Sequence, residues 1–245
     1  LKSINKDVGS IASRVSAALA YGANHPYGEF ATVENTEKVS LEDVKGFYNN
    51  YFKPANAYLV IVGDVKTSEV KKLAKKNFGD WEAGAPKEQD LPQVANVNET
   101  QINLVDMPNA VQSELRLQNT IDLKMADEDY FPVLVANQIL GGSFGSYLNM
   151  NLREDKGYTY GARTSTGADK YASRFVAQAS VRNAVTDSAI VESLKEIKRI
   201  RTEPVDAEML ENAKSKFAGD FVLRLEQPST IANYALNIKT NDLSD

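Results

Sequence analysis

Apolar residues recur at helical spacing in several parts of the chain, and this periodicity predicts most of its helices. The first such stretch places apolar side chains at Ile4, Val8, Ile11, Val15 and Leu19. A second stretch opens at Ser40, with Asp43 at the position that completes a capping box. Further helical patterns follow Thr67, Thr186 and Asp206, and the dipeptide Gln227-Pro228 precedes a last one.

Alternation of polar and apolar residues predicts the strands. In "QSELRLQNTI", residues 112–121, Leu115 and Leu117 alternate with charged and amide side chains, a pattern typical of a half-solvated strand. The run "AYLVIVGDV", residues 57–65, is rich in β-branched residues and predicts a buried strand. Two more strands are predicted near 158–167 and 172–182.

The order of these elements predicts the fold class. Strands and helices are mixed without strict βαβ alternation, which indicates an α+β fold: a two-layer structure in which a mixed sheet carries helices on one face. Glycine, proline and charged residues are concentrated between Gly79 and Thr100. We therefore predict a first module over 1–84, a linker over 85–100 and most of a second module over 101–245.

Composition excludes several classes of function. The chain has 28 Lys and Arg against 33 Asp and Glu, so its net charge of −5 gives no reason to expect a nucleic-acid partner. No apolar run approaches the ~18 residues of a membrane helix. With no cysteine and only His25, the chain cannot supply the usual three zinc ligands. Both ends fall in helical patterns, so we expect a piece of a longer protein.

The glycine-rich segment "GGSFGS", residues 141–146, allows two interpretations. A phosphate-binding loop would follow a strand and carry Gly-Lys-Ser/Thr, and neither condition is met. We instead predict that Gly141 and Gly142 end a helix with positive φ, and that Ser143 or Ser146 caps the next helix.

Two longer segments carry a family resemblance. "NHPYG", followed by "VSLEDVKGFYNNYFKPANAYLVIVGDV", is similar to the region downstream of the zinc motif in pitrilysin/insulinase-type zinc peptidases, the inverse zincins. "ILGGSFGSYLNMNLREDKGYTYGA" resembles the "LGG…S.L…LRE..G..Y" segment of the next module in that family. Together the two matches span nearly the whole chain in a consistent order.

The resemblance implies a role in peptide hydrolysis. In this family α+β modules occur as pseudo-repeats, one of which binds zinc through HxxEH, while another supplies an Arg and a Tyr that hold substrate. Those two residues correspond here to Arg153 and Tyr160. HxxEH is absent from this chain, which leaves its own enzyme activity uncertain. The chain would supply substrate-holding and chamber-wall residues, bind no zinc and cleave nothing by itself.

The same resemblance implies the partners. These would be a peptide or unfolded polypeptide substrate and a zinc-bearing module, either in the same protein or in a partner subunit. We expect no nucleic acid, no membrane segment, and zinc only in the complete protein. The alternative is a non-catalytic scaffold or binding subunit that partners a zinc-bearing peptidase.

Spacing adds an expectation about Arg153 and Tyr160. If a helix ends near Lys156 and Gly157 turns the chain into a strand, alternation places Tyr158 and Tyr160 on one face. We predict that the polar tips of Arg153 and Tyr160 lie within about two hydrogen-bond lengths, roughly 6 Å. The alternative is a surface ion pair of Arg153 with a neighbouring carboxylate.

We also expect residues 40–80 to pack onto the sheet of residues 101–182.

Overall fold

A computed structural model of the chain describes residues 4–244, and helices dominate it. The α-helices in this range are α1 (Val8–Tyr21), α2 (Val33–Glu37), α3 (Leu41–Tyr51), α4 (Thr67–Phe78), α5 (Tyr130–Asn137), α6 (Tyr147–Asn149), α7 (Thr186–Thr202), α8 (Ala207–Leu225) and α9 (Pro228–Thr240). Two of these helices continue as π-helical segments, α5 over Gln138–Gly142 and α6 over Met150–Asp155. Short 3₁₀ turns cover Ile4–Lys6, Pro54–Asn56 and Asn183–Val185.

Three strands form one antiparallel sheet among the described residues. They are β1 (Gln112–Ile121), β2 (Thr159–Thr166) and β3 (Ser173–Arg182), in the order β1-β3-β2. The strands predicted at these three places are confirmed, and so is the α+β class. The sheet is antiparallel rather than mixed because both β1 and β2 run opposite to β3.

The apolar face of this sheet carries the main core. Leu115 pairs with Ala179, and Val181 lies farther along β3 on the same face. Leu148 and Leu152, from α6 and its π-helical continuation, pack against this face and are almost completely buried. Ala189 of α7 completes the cluster. Local alternation along β1 therefore decides which side chains face the helices.

The opposite face of the sheet is polar, and α1 lies on it. Ser16 and Gln118 hydrogen-bond through their side chains, and the Gln118 amide donates to the Ser16 carbonyl oxygen at 2.7 Å. Arg116 of β1 donates to Ser13 Oγ at 3.1 Å. The prediction that helices lie on only one face is therefore wrong. Helix α1 lies on the other face, because the polar residues of β1 bind it through hydrogen bonds.

Compact packing divides the chain differently from the predicted modules. One unit consists of the chain up to Ala31 together with Leu91–Ala218, and the other of Thr32–Asp90 with the part from Gly219 onward. The first unit is discontinuous in sequence because α1 packs on β1. The predicted boundaries, 1–84, 85–100 and 101–245, concern sequence modules and stay a prediction.

Residues 57–65 form no strand, so that prediction is wrong. Tyr58, Leu59 and Ile61 are exposed, although their sequence pattern is that of a buried strand. A strand persists only where its backbone groups find partners, and no described segment pairs with this one. Residues 40–80 also belong to a compact unit different from that of the sheet. The expectation that they share its core is therefore wrong as well.

Helix α3 shows the local signals working as predicted. Ser40 Oγ accepts a hydrogen bond from Asp43 N at 3.1 Å, and the Asp43 carboxylate accepts one from Ser40 N at 2.9 Å. This capping box is confirmed.

Over the part of the chain that the structure describes, no helix combines the length and apolarity needed to cross a bilayer.

Candidate functional site

The glycine-rich segment serves close packing rather than a positive-φ turn. The helix ends at Gly142, as predicted, but neither Gly141 nor Gly142 has positive φ, so that part of the prediction is wrong. The last turn of this helix, from Gln138 to Gly142, is π-helical. A Cβ at Gly141 would stand 2.4 Å from the backbone nitrogen of Thr164 in β2. Glycine is needed at 141 because the helix approaches the strand so closely.

The prediction that Ser143 or Ser146 caps the next helix is right about the position of Ser146 but wrong about its hydrogen bond. Ser146 is the N-cap residue of α6, but its side chain makes no capping hydrogen bond. Its hydroxyl is buried and has no partner among the described residues. Ser143 Oγ donates to the Gln138 carbonyl oxygen at 3.3 Å, so it bonds to the preceding helix rather than the next.

Gly157 turns the chain from the helix into β2, as predicted. Its φ is +60°, a conformation that glycine adopts without strain. Its N–H donates to the Arg153 carbonyl oxygen at 3.1 Å, and Tyr158 N donates to the Leu152 carbonyl oxygen at 2.8 Å. These bonds satisfy carbonyl groups at the helix end and direct the chain back along it.

Arg153 lies on the last turn of the π-helical segment and has two neighbours. Its Nε is 3.2 Å from Glu154 Oε1, and its guanidinium carbon is 4.8 Å from the centroid of the Phe144 ring. Both charged side chains are about two-fifths exposed, so the ion pair is worth at most about 1 kcal/mol. The guanidinium group therefore remains available for another acceptor.

Tyr160 is the most exposed of the predicted site residues. The side chain is 90% exposed, whereas Tyr158 packs against the core. Thr159 pairs with Val181 and Ala162 with Ala179, so β2 carries an extra residue between them. This β-bulge interrupts the alternation. The expectation that alternation places Tyr158 and Tyr160 on one face is therefore wrong.

Asn149 joins the Phe144 loop to the strand that carries Tyr160. Its Nδ2 donates to the Phe144 carbonyl oxygen at 2.7 Å, and its Oδ1 accepts from Ala162 N at 3.2 Å. The side chain is almost completely buried. Asn149 also stands one helical turn before Arg153. It therefore links the backbone of the Phe144 loop to β2, two segments that carry exposed side chains at Phe144 and Tyr160.

We expect Asn149→Asp to destabilise this link by about 2 kcal/mol, because a carboxylate cannot donate to the Phe144 carbonyl and leaves it unsatisfied. Hydrogen exchange of the β2 amides in the full-length protein measures the loss. Asn212→Asp makes the same change at an exposed position of α8 and should stay within about 0.5 kcal/mol of wild type. Equal exchange in the two variants would show that Asn149 has no such role.

Among the described residues, no hydrogen bond or cation–π contact joins Arg153 and Tyr160. Within residues 4–244 the Tyr160 hydroxyl makes no hydrogen bond, and Arg153 contacts Glu154 and Phe144. The approach of the two polar tips to roughly 6 Å stays a prediction. Sequence reasoning missed Phe144 and Asn149. The signals were an aromatic residue between glycines and an asparagine four positions before Arg153.

The described residues do not fit a zinc site. No group of three His, Cys, Asp or Glu side chains in residues 4–244 could hold a metal ion. His25 is buried, its Nδ1 accepts from Tyr27 N at 3.0 Å, and its ring stacks on Tyr21 at 5.6 Å between centroids. His25 is therefore a buried loop histidine that is hydrogen-bonded to the backbone.

Comparison with known families identifies the class of this chain. The model of the family described as "Peptidase M16 inactive domain" matches residues 38–217. The chain therefore belongs to the peptidase M16 inactive-domain family, in agreement with the resemblance seen in its sequence.

Relatives and solved structures give the same result. The uncharacterized zinc protease YmxG of Bacillus subtilis is 24% identical over 216 residues, which are 86% of this chain and 50% of that protein. The peptidase M16 inactive domain from Pseudomonas fluorescens superimposes with a TM-score of 0.89 at 22% identity, covering 99% of this chain and 58% of that one. A Helicobacter pylori protease gives a TM-score of 0.86 at 19% identity, covering 98% and 58%. The chain thus spans about half the length of these proteins.

Two more distant structures share the fold. One is the ferredoxin protease FusC, a mutant form, in complex with Arabidopsis ferredoxin, with a TM-score of 0.69, 13% identity and coverage of 96% of this chain and 26% of that one. The other is complex III2 from Candida albicans, with a TM-score of 0.76, 12% identity and coverage of 97% and 58%.

Proposed function

We propose that this chain supplies the substrate-holding surface of an M16-type zinc peptidase, with zinc held by a module outside residues 1–245. The observation that carries the proposal is the exposure of Phe144, Arg153 and Tyr160, with Arg153 beside the Phe144 ring and the Phe144 loop linked to β2 through Asn149. The family assignment and the zinc-protease names of relatives support it. No zinc ligands are assigned to this chain.

The chemistry of the group suits a peptide. Arg153 presents a planar fork of donors that can hold a carbonyl or carboxylate oxygen of the substrate. Without substrate, the Glu154 carboxylate pairs with the guanidinium group of Arg153. Because an exposed ion pair is weak, a substrate oxygen can replace Glu154. Tyr160 offers a hydroxyl donor without an internal partner, which can stabilise the charge that develops when a peptide carbonyl is attacked.

Substrate kinetics of the full-length protein, with any zinc-bearing partner subunit present, test this role. We expect Tyr160→Phe to lower kcat by about tenfold to a hundredfold while KM changes less than about threefold, because the donor acts on developing charge. The readout is cleavage of a quenched fluorogenic peptide selected for turnover by the wild type.

Arg153→Lys should lower kcat/KM by about tenfold or more, since an ammonium cannot replace the planar fork. Tyr171→Phe and Arg201→Lys make the same changes at exposed positions outside the group and should leave turnover unchanged. Wild-type kinetics in both Tyr160→Phe and Arg153→Lys would disprove the substrate-holding role.

The alternative is a scaffold or partner subunit. It is favoured by the absence of a three-ligand cluster within residues 4–244 and by the likeness to a chain of complex III2. The complex of FusC with ferredoxin favours the peptidase hypothesis, because FusC has this fold and is a protease that holds a polypeptide. Zinc content decides between them. A full-length protein that holds no zinc and gains no cleavage activity from a zinc-bearing partner is a scaffold.

A further inference from the structure

The polar face of the sheet lines an open cavity that the proposed function does not use. Its volume is about 320 Å³, and all of its lining residues belong to the first compact unit. The wall is formed by α1 and the loop after it, by all three strands, and by the β2–β3 connection. The lining residues that carry charge or aromatic rings are Tyr21, Tyr27, Arg116, Asp169 and Arg174.

Arg116 reaches this cavity with unused donors. It lies between Leu115 and Leu117 on β1, so alternation directs it to the polar face. Its Nη2 donates to Ser13 Oγ, whereas Nε is buried without an acceptor among the described residues. Burial lowers the pKa of Arg116; nearby Glu114 opposes this shift and nearby Arg174 adds to it. No carboxylate in residues 4–244 forms a salt bridge with Arg116.

Arg174 of β3 supplies the second guanidinium group. Its Nη1 donates to Ser16 Oγ at 3.2 Å and to Gln118 Oε1 at 3.3 Å. Its guanidinium carbon lies 5.4 Å from the centroid of the Tyr21 ring. These contacts fix the group in place but neutralise none of its charge, because none of the acceptors is a carboxylate. The described residues again offer it no salt bridge.

The one carboxylate in the cavity wall is already occupied. Asp169 Oδ1 accepts from the Tyr27 hydroxyl at 3.0 Å, from Tyr171 N at 2.8 Å and from Ala172 N at 3.2 Å. Burial and the hydrogen bond to Asp169 raise the pKa of Tyr27 to about 12, so the phenol keeps its proton at neutral pH. Asp169 therefore orders the loop, and neither guanidinium group forms a salt bridge with a carboxylate among the described residues.

We propose that this cavity binds a carboxylate group of a peptide, held by Arg116 and Arg174. Planar guanidinium forks match a carboxylate in geometry as well as in charge. Gln178 lines the same cavity and offers a further donor. The volume admits only about one or two residues, since drug-sized ligands occupy roughly 300–1,000 Å³. Peptide as the ligand class rests on the proposed function, whereas the recognition of a carboxylate does not.

Calorimetric titration of the full-length protein tests the proposal without any cleavage. Three probes are compared: an acetylated tetra-alanine peptide with a free α-carboxyl group, the same peptide amidated, and an amidated peptide with one internal glutamate. We expect at least one carboxylate-bearing peptide to bind about tenfold more tightly than the neutral amide, which corresponds to about 1.4 kcal/mol. The preferred probe shows whether the carboxylate comes from a chain end or a side chain.

Variants locate the binding in the cavity. Ser165 is exposed on β2, so Ser165→Glu places a negative charge in the wall without removing a core contact, and it should weaken binding about tenfold. Ser165→Gln is the neutral control of similar size and should bind like wild type. Arg116→Gln should also weaken binding about tenfold, whereas Arg201→Gln, outside the cavity, should not.

Three results would overturn the proposal. They are equal affinity for the acidic and neutral peptides, unchanged affinity in Ser165→Glu, and binding of inorganic phosphate with no binding of any peptide. A loss of peptide cleavage with intact carboxylate binding counts against the proposed function only. If Arg116→Gln unfolds, the comparison of Ser165→Glu with Ser165→Gln decides, because that pair leaves the buried hydrogen bonds intact.

Discussion

Leu152→Ala should lower the free energy of unfolding of the sheet unit by about 3–5 kcal/mol. Leu152 is 0% exposed and packs in the core cluster with residues of β3 and α7. Truncation removes the buried methyl groups and leaves a cavity that rigid neighbours only partly fill. A loss of this size is a large share of the 5–15 kcal/mol typical of a folded domain.

Leu194→Ala is the matched control for this change. Leu194 lies on α7 and is half exposed, so the same truncation should cost less than about 1 kcal/mol. Hydrogen exchange of the β3 amides in the full-length protein measures the loss in free energy of unfolding for both variants. Similar losses in both variants would mean that Leu152 is not central to the core.

Gly141→Ala should cost about 3 kcal/mol although it adds only one methyl group. The new Cβ would stand 2.4 Å from Thr164 N and 2.5 Å from Thr164 Oγ1. The backbone nitrogen belongs to β2 and cannot rotate away, so the π-helical segment or the strand must move. Because the segment leads to the Phe144 loop, the displacement should also increase exchange at the β2 amides.

Two further variants separate the causes of this loss. Gly145→Ala lies in the same loop, where a Cβ would meet nothing within 4 Å, and should change the free energy of unfolding by less than about 0.5 kcal/mol. Thr164→Ala combined with Gly141→Ala should restore only part of the loss, because the backbone nitrogen remains in place. A Gly141→Ala protein with wild-type exchange rates would contradict the close approach of helix and strand.

Much of the architecture follows from neighbouring residues in the sequence. The capping box of Ser40 and Asp43 and the turn at Gly157 involve groups only a few positions apart. The alternation along β1 likewise predicted both its strand and its two unlike faces. These features are decided by local hydrogen bonding and side-chain direction, so the sequence was sufficient to predict them.

The candidate site was predictable only in part. The motif "LRE..G..Y" identified the family and pointed to Arg153 and Tyr160, which lie on either side of the Gly157 turn. The neighbouring carboxylates indicated the ion pair of Arg153 with Glu154, but nothing in the sequence showed that Phe144 contacts Arg153 or that β2 has a bulge beside Tyr160. Such contacts depend on the register of β2 against β3, which alternation within one strand does not specify.

The sequence by itself determined the α+β class, the three strands of the sheet, the turn at Gly157 and the lack of thiolate and multi-histidine metal chemistry. Each depends on composition or on short-range geometry. Tertiary structure decided that residues 57–65 form no strand and that Gly141 is required by the approach of β2. It also gathered Arg116 and Arg174 around one cavity. These outcomes depend on which distant segments meet, because a backbone group or a guanidinium is satisfied only by the neighbours that packing brings to it.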